Sequence, residues 1–143
     1  MNARETIKYV VEWLKDYSVR AGTKGFVIGI SGGIDSAVTS ILCAETGLKV
    51  QALSLPIRQG ADSFARGNEH INFLKSRYRN VASDTVDLTG VFNTLEKTLP
   101  EKARTDLSMA NTRARLRMTT LYAFAGASNL LVAGTGNKIE DFG

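Results

Sequence analysis

Hydrophobic and polar positions along the chain follow two rhythms. Over residues 3–20, Ile7, Val10, Val11, Leu14 and Tyr17 recur at helical spacing, while Lys8, Glu12, Lys15 and Asp16 fall mostly on other faces. That period predicts an amphipathic helix, ended by Gly22-Thr23-Lys24-Gly25. Residues 26–30 are continuously apolar, as expected of a central parallel strand covered on both faces. A helix is predicted from Asp35 to about Glu45, with Gly47 as its stop. Residues 50–55 read as a second strand ended by Pro56, and Phe64, Ile71 and Leu74 place a helix within 60–76. A third strand is read over 80–86, where Val81 and Val86 flank a polar middle. Leu88, Val91, Phe92, Leu95 and Leu99 predict a helix stopped by Pro100. A long helix over 105–126 then precedes a fourth strand at 130–133.

Strands alternating with helices imply an α/β fold: a Rossmann-like parallel sheet with helices on both faces. In such sheets ligands sit at the carboxyl ends of the strands. The loops 31–36, 56–60 and 134–140 are therefore expected to converge on one site. The 143 residues suffice for a single domain with a real core. The chain stops inside a polar, glycine-bearing loop, 136–143, directly after an apolar run, so a piece of a longer protein lacking its C-terminal part is expected.

Composition adds little to this picture. Hydrophobic content of 43% and charged content of 22% are ordinary for a globular protein. No apolar run approaches the ~20 residues needed to span a bilayer. The N-terminus lacks the apolar core of a secretory signal, and the one cysteine, Cys43, cannot form an internal disulfide, so a cytoplasmic setting is expected. Cys43 itself is expected to pack as an apolar group. The net charge of +4 is mild, and basic residues are scattered except around Arg113, Arg115 and Arg117. This favours an anionic small ligand, since no aromatic-interleaved basic patch for nucleic acid is present.

The chemistry concentrates in Gly29-Ile30-Ser31-Gly32-Gly33-Ile34-Asp35-Ser36, where the first strand breaks into a tight loop before a helix. Backbone N–H groups of such a loop and the helix dipole together favour phosphate. Ser31 and Ser36 add hydroxyl donors. A Walker A loop would need Gly-Lys-Ser/Thr before the helix, and no lysine is present. Asp35 stands there instead. Beside phosphates it suits a Mg²⁺ ligand; as a first-turn acid it would equally complement the dipole, and the residue alone leaves both open.

Ser31-Gly32-Gly33-Ile34-Asp35-Ser36 after an apolar strand resembles the pyrophosphate loop of the N-type ATP pyrophosphatases. Those enzymes cleave ATP between the α- and β-phosphates, and the resemblance implies an adenine nucleotide alpha hydrolase-like fold. Two later stretches extend it. Asn111-Thr112-Arg113-Ala114-Arg115-Leu116-Arg117-Met118 places Asn111 and Arg115 on one helical face, near Ser108, Met118 and Tyr122. Arg113 and Arg117 lie on another face, and a solvated basic surface accounts for them. Gly134-Thr135-Gly136-Asn137-Lys138-Ile139-Glu140 follows the fourth strand. The order of the three elements is similar to that of ammonia-dependent NAD synthetases over nearly the whole chain. That resemblance implies ATP binding by Gly29 to Ser36 and Thr135, Mg²⁺ held by Asp35 and Glu140, and deamido-NAD contacted by Arg115, with Asn111 on the same face. Arg58 and Gln59 sit where the family's ATP-side loop lies. The resemblance also implies a homodimer with deamido-NAD near the subunit boundary.

The implied reaction converts deamido-NAD to NAD through an NAD-adenylate, releasing pyrophosphate and then AMP, with free ammonia as nitrogen donor. The attacking carboxylate is already ionised near neutral pH, so no protein residue is expected as a general base. The 143 residues alone are expected to be inactive or nearly so. Competing readings are another enzyme with this loop, of the GMP synthetase or tRNA-thiolating kind, and a non-catalytic nucleotide-binding domain. The single histidine, His70, is expected on the surface or as a helix cap, Trp13 and Tyr17 in the core or a subunit contact, and Lys75, Arg77 and Arg79 on a solvated face.

Overall fold

Capping and turn residues delimit the elements. The structure, a computed structural model, describes residues 2–136. Asn2 caps α1 (Ala3–Arg20) by accepting the Arg4 N–H at 3.1 Å. Thr105 does the same for α5 (Asp106–Ser128) through the Ser108 N–H at 3.1 Å. Asn129, left-handed at φ 55°, ends α5. The remaining helices are α2 (Ile34–Glu45), α3 (Ala61–Arg77) and α4 (Thr89–Thr98). A short 3-10 turn at Glu101–Ala103, which periodicity did not anticipate, follows Pro100.

β1 (Gly25–Gly29), β2 (Lys49–Ser54), β3 (Val81–Thr85) and β4 (Leu131–Val132) form one parallel sheet in the order β3-β2-β1-β4. The expected α/β architecture is therefore present. Strand alternation divides the core into two layers. Phe26, Ile28 and Ile30 face α2 and α3, where they meet Cys43, Ile71 and Leu74. Val27 and Leu53 face the opposite way, into Phe92 of α4 and Met109, Leu121 and Ala125 of α5. Cys43 is fully buried, and burial pushes its thiol pKa up to about 12, as an inert packing group requires.

The apolar face of α1 is only partly covered. Val10, Val11 and Leu14 are half-buried, while Ile7 and Tyr17 stay exposed. Trp13 and Tyr17 are not core residues: both are exposed, and their ring centroids lie 5.3 Å apart. Among the described residues, no helix is long and apolar enough to cross a membrane.

The strand order reverses at β1. The chain runs outward through β2 and β3, then returns to add β4 on β1's other edge. A crevice is expected at the carboxyl ends of β1 and β4, the switch point of the sheet.

Candidate functional site

The loop after β1 is held by its own backbone and two hydroxyls. Ile30 N–H still bonds in the sheet, to the Leu53 carbonyl at 2.8 Å. The chain then turns out of the sheet. Ser31 N–H donates to Ser36 Oγ at 3.1 Å, and Gly33 N–H donates to Ser31 Oγ at 3.1 Å. Ser36 Oγ in turn donates to the Gly33 carbonyl at 3.3 Å and is buried. Ser36 thus shapes the loop from inside, whereas Ser31 is exposed at its mouth. Gly32 has φ +86°, and a Cβ there would lie 2.7 Å from the Ser63 carbonyl oxygen of α3. Only glycine lets the loop pass this close to α3. Helix α2 begins at Ile34 with Asp35 exposed in its first turn, so the positive end of the helix and a carboxylate share the loop's outer side.

Beside this loop lies a cleft of about 460 Å³, bounded by the ends of β1, β2 and β4 and one face of α5. Much of its wall is apolar, with Ile30, Leu53, Leu55, Leu121 and Ala133 contributing. Its polar groups include Ser31, Gln59, Thr135 and Arg117. The predicted convergence of loops is observed in 31, 57, 59, 134 and 135. Gln59 reaches toward the Ser31 carbonyl, with its Nε2 donating at 3.5 Å.

Arg117 departs from expectation. It is half-buried, not solvated, and its Nε donates to the Leu55 carbonyl at 3.0 Å. Burial holds its pKa below the ordinary arginine value, and the neighbouring charge of Arg113 acts in the same direction. Arg113 is also not a solvated residue: its guanidinium lies 5.3 Å from the centre of the Phe92 ring. The four-residue spacing of Arg117, Leu121 and Ala125 is legible in the sequence, but that this stripe of α5 is the buried one is seen only in the structure.

Arg58 belongs to the packing of α4. Its N–H donates to Thr89 Oγ1 at 3.0 Å, its guanidinium pairs with Glu96 at 2.9 Å, and it lies 4.8 Å from the centre of the Phe92 ring. Asn111 and Arg115 are exposed on the outer face of α5 and do not line the cleft. Glu140 lies outside the described residues. Among the described residues, no three His, Cys, Asp or Glu side chains gather as a metal cluster. A single carboxylate beside a glycine loop at a helix N-terminus still fits Mg²⁺, which is commonly bound by one or two carboxylates plus substrate phosphates.

His70 is neither a free surface group nor a cap. Its Nε2 lies 2.8 Å from Ser40 Oγ, linking α3 to α2 below the loop. Burial lowers its pKa from the ordinary histidine value. Lys75, Arg77 and Arg79 are exposed, as expected.

Comparison with known proteins adds to this geometry. The family profile described as NAD synthase matches residues 6–142. A protein named NH(3)-dependent NAD(+) synthetase from Mycoplasma genitalium is 40% identical over 140 residues, covering 94% of this chain and 54% of that protein. The solved NMN synthetase from Francisella tularensis superposes with TM-score 0.84 at 34% identity, over 96% of this chain and 56% of the other. The NH3-dependent NAD synthetase from Campylobacter jejuni, solved with a nitrate ion, gives TM-score 0.87 at 27% identity, over 100% of this chain and 62% of the other. The chain spans about half the length of the curated relatives it matches.

Proposed function

We propose a function from one premise: the chain belongs to the NAD synthase family. The function is ATP-driven, ammonia-dependent conversion of deamido-NAD to NAD, carried out in the cytoplasm by a polypeptide of which these residues hold the ATP side. One observation carries the reading: the 31–36 loop borders, through Ser31, a partly open, largely apolar cleft at the point where the strand order reverses. The apolar wall suits an adenosine, and the loop amides at the start of α2 suit its phosphates.

The chemistry follows from this placement. A carboxylate oxygen of the nicotinate ring attacks the α-phosphorus of ATP, and the bond to the β-phosphate oxygen breaks. Pyrophosphate departs with that electron pair. Ammonia then attacks the acyl carbon of the adenylate, AMP leaves, and the nitrogen loses a proton to solvent. The loop amides and the α2 dipole stabilise charge on the departing pyrophosphate. Asp35, with Glu140, would hold Mg²⁺, which supplies charge neutralisation on the phosphates. Binding both anionic partners in line contributes the remainder through positioning.

Asn111 and Arg115 fit a different part of this scheme. Their exposure, beside exposed Tyr122, leaves them available to deamido-NAD. The same proposal has the polypeptide act as a homodimer. The 143 residues alone are proposed to turn over at background rate.

The full-length polypeptide should form NAD, AMP and pyrophosphate in equal amounts from ATP, deamido-NAD and ammonium. Asp35→Asn should lower kcat/KM by about 100-fold, equivalent to about 2.7 kcal/mol of lost metal-mediated stabilisation. AMP formation without deamido-NAD, or ATP binding without turnover, would sink the reading. A second reading is favoured by the 34% identity to the NMN synthetase: amidation of nicotinate mononucleotide. Ratios of kcat/KM for the mono- and dinucleotide decide between them.

A further inference from the structure

We propose that Arg117 binds the nucleotide phosphate nearest the nucleoside, clamping it against the 31–36 loop. This rests on the ATP-side reading above and names a residue for it.

The position comes from strand register. Gly29 pairs with Leu53, and Ser31 and Leu55, each two residues beyond that pair, line the cleft together with Arg117. Arg117 hangs from the Leu55 carbonyl through Nε. Its guanidinium therefore lies at the loop end of the cleft. The apolar wall, with Leu53, Leu121 and Ala133, offers nothing to a charge. A ligand with an apolar and an anionic end has one sensible orientation, anion toward Ser31 and Arg117.

Charge points the same way. Among the described residues the ion pairs are Lys8–Glu12 and Arg58–Glu96, and neither involves Arg117. Its charged neighbour is another arginine, Arg113. A half-buried cation without a carboxylate is costly unless an anion completes it. The Nε bond fixes the plane of the guanidinium, and its terminal nitrogens bond to no described residue. A fixed planar fork is the geometry that recognises phosphate. Of the other arginines nearby, Arg58 pairs with Glu96, Arg113 lies on Phe92, and Arg66, against Gly32, donates to Ser63 Oγ and does not line the cleft. Held there, the charge would also stabilise the negative charge that attack adds to the phosphoryl oxygens.

The test is calorimetric titration of the full-length polypeptide with adenosine, AMP and ATP. In the unsubstituted protein AMP should bind more tightly than adenosine. Arg117→Gln should weaken AMP and ATP by about 10- to 100-fold, the range of one charge-assisted contact, with adenosine affinity held within about twofold. Arg117→Lys should lie between the two, and unchanged adenosine binding certifies the fold in each variant. If Arg117→Gln does not fold, the same comparison on Arg117→Lys decides. Equal weakening of adenosine and AMP overturns the proposal, because it marks a structural wall. Unchanged AMP affinity also overturns it. If the unsubstituted protein binds none of the three, the ATP-side reading itself fails.

Discussion

Replacing Gly32 by alanine tests the shape of the glycine loop directly. Two effects act at this residue. The backbone sits at φ +86°, where an L side chain costs roughly 1–2 kcal/mol. The new Cβ would also meet the Ser63 carbonyl oxygen at 2.7 Å and the Gly67 N at 3.3 Å, both of them backbone atoms. Neither can rotate away, so α3 must shift, and overpacking of this kind costs about 1–3 kcal/mol. The sum is about 2–5 kcal/mol. Gly47 separates the two effects, since its φ is +74° but nothing lies within 4 Å of its added Cβ. Gly47→Ala should therefore cost only the strain, about 1–2 kcal/mol. Urea unfolding of both variants at constant slope gives the difference. Gly33→Ala serves as control, because its Cβ would meet only the rotatable Ser31 hydroxyl at 3.3 Å. A Gly32→Ala loss within about 0.5 kcal/mol of the Gly47→Ala loss would refute the close approach of loop to α3. ATP affinity should fall in Gly32→Ala as well, because the displaced loop no longer presents its amides to phosphate.

Three further outcomes are expected. Burial depresses the His70 pKa in the folded state, so folding favours the neutral ring: stability is full above the unfolded value of about 6.5 and declines as pH falls below it toward the folded pKa. The urea midpoint should drop between pH 7.5 and 5.5, and His70→Gln should shrink that drop; superimposable profiles would exclude the histidine as its cause. Cys43, with its thiol pKa raised to about 12, should resist aromatic disulfide reagents at pH 8 until the protein unfolds, and rapid labelling of the native state would contradict its packing. Arg58→Ala should cost about 1–2 kcal/mol of stability through the Glu96 pair and the Phe92 contact, and a loss of ATP affinity larger than the loss of stability would return it to the binding site.

Much of the fold could be read from periodicity because its determinants are local. The runs at 26–30 and 50–55, the breaks at Gly22, Gly47 and Pro100, and the glycine loop each depend on neighbours a few residues away. The side chains that were misjudged depend on distant partners. His70 meets Ser40, Arg58 meets Asn93 and Glu96, and Arg117 meets Leu55. No sequence spacing encodes those distances.

α5 shows where the boundary falls. It carries apolar side chains on several faces: Met109, Leu121 and Ala125 are buried, while Leu107, Met118 and Tyr122 are exposed. Helical spacing separates Arg115 from Arg117, but it does not say which of them faces the sheet. Sequence alone determined the parallel α/β architecture, the phosphate-sized loop and the helix bearing three arginines, because each is written in local pattern and backbone preference. Only the tertiary structure decided that Arg117 enters the cleft and Arg115 meets solvent, because that choice depends on which stripe of α5 packs on β1 and β4.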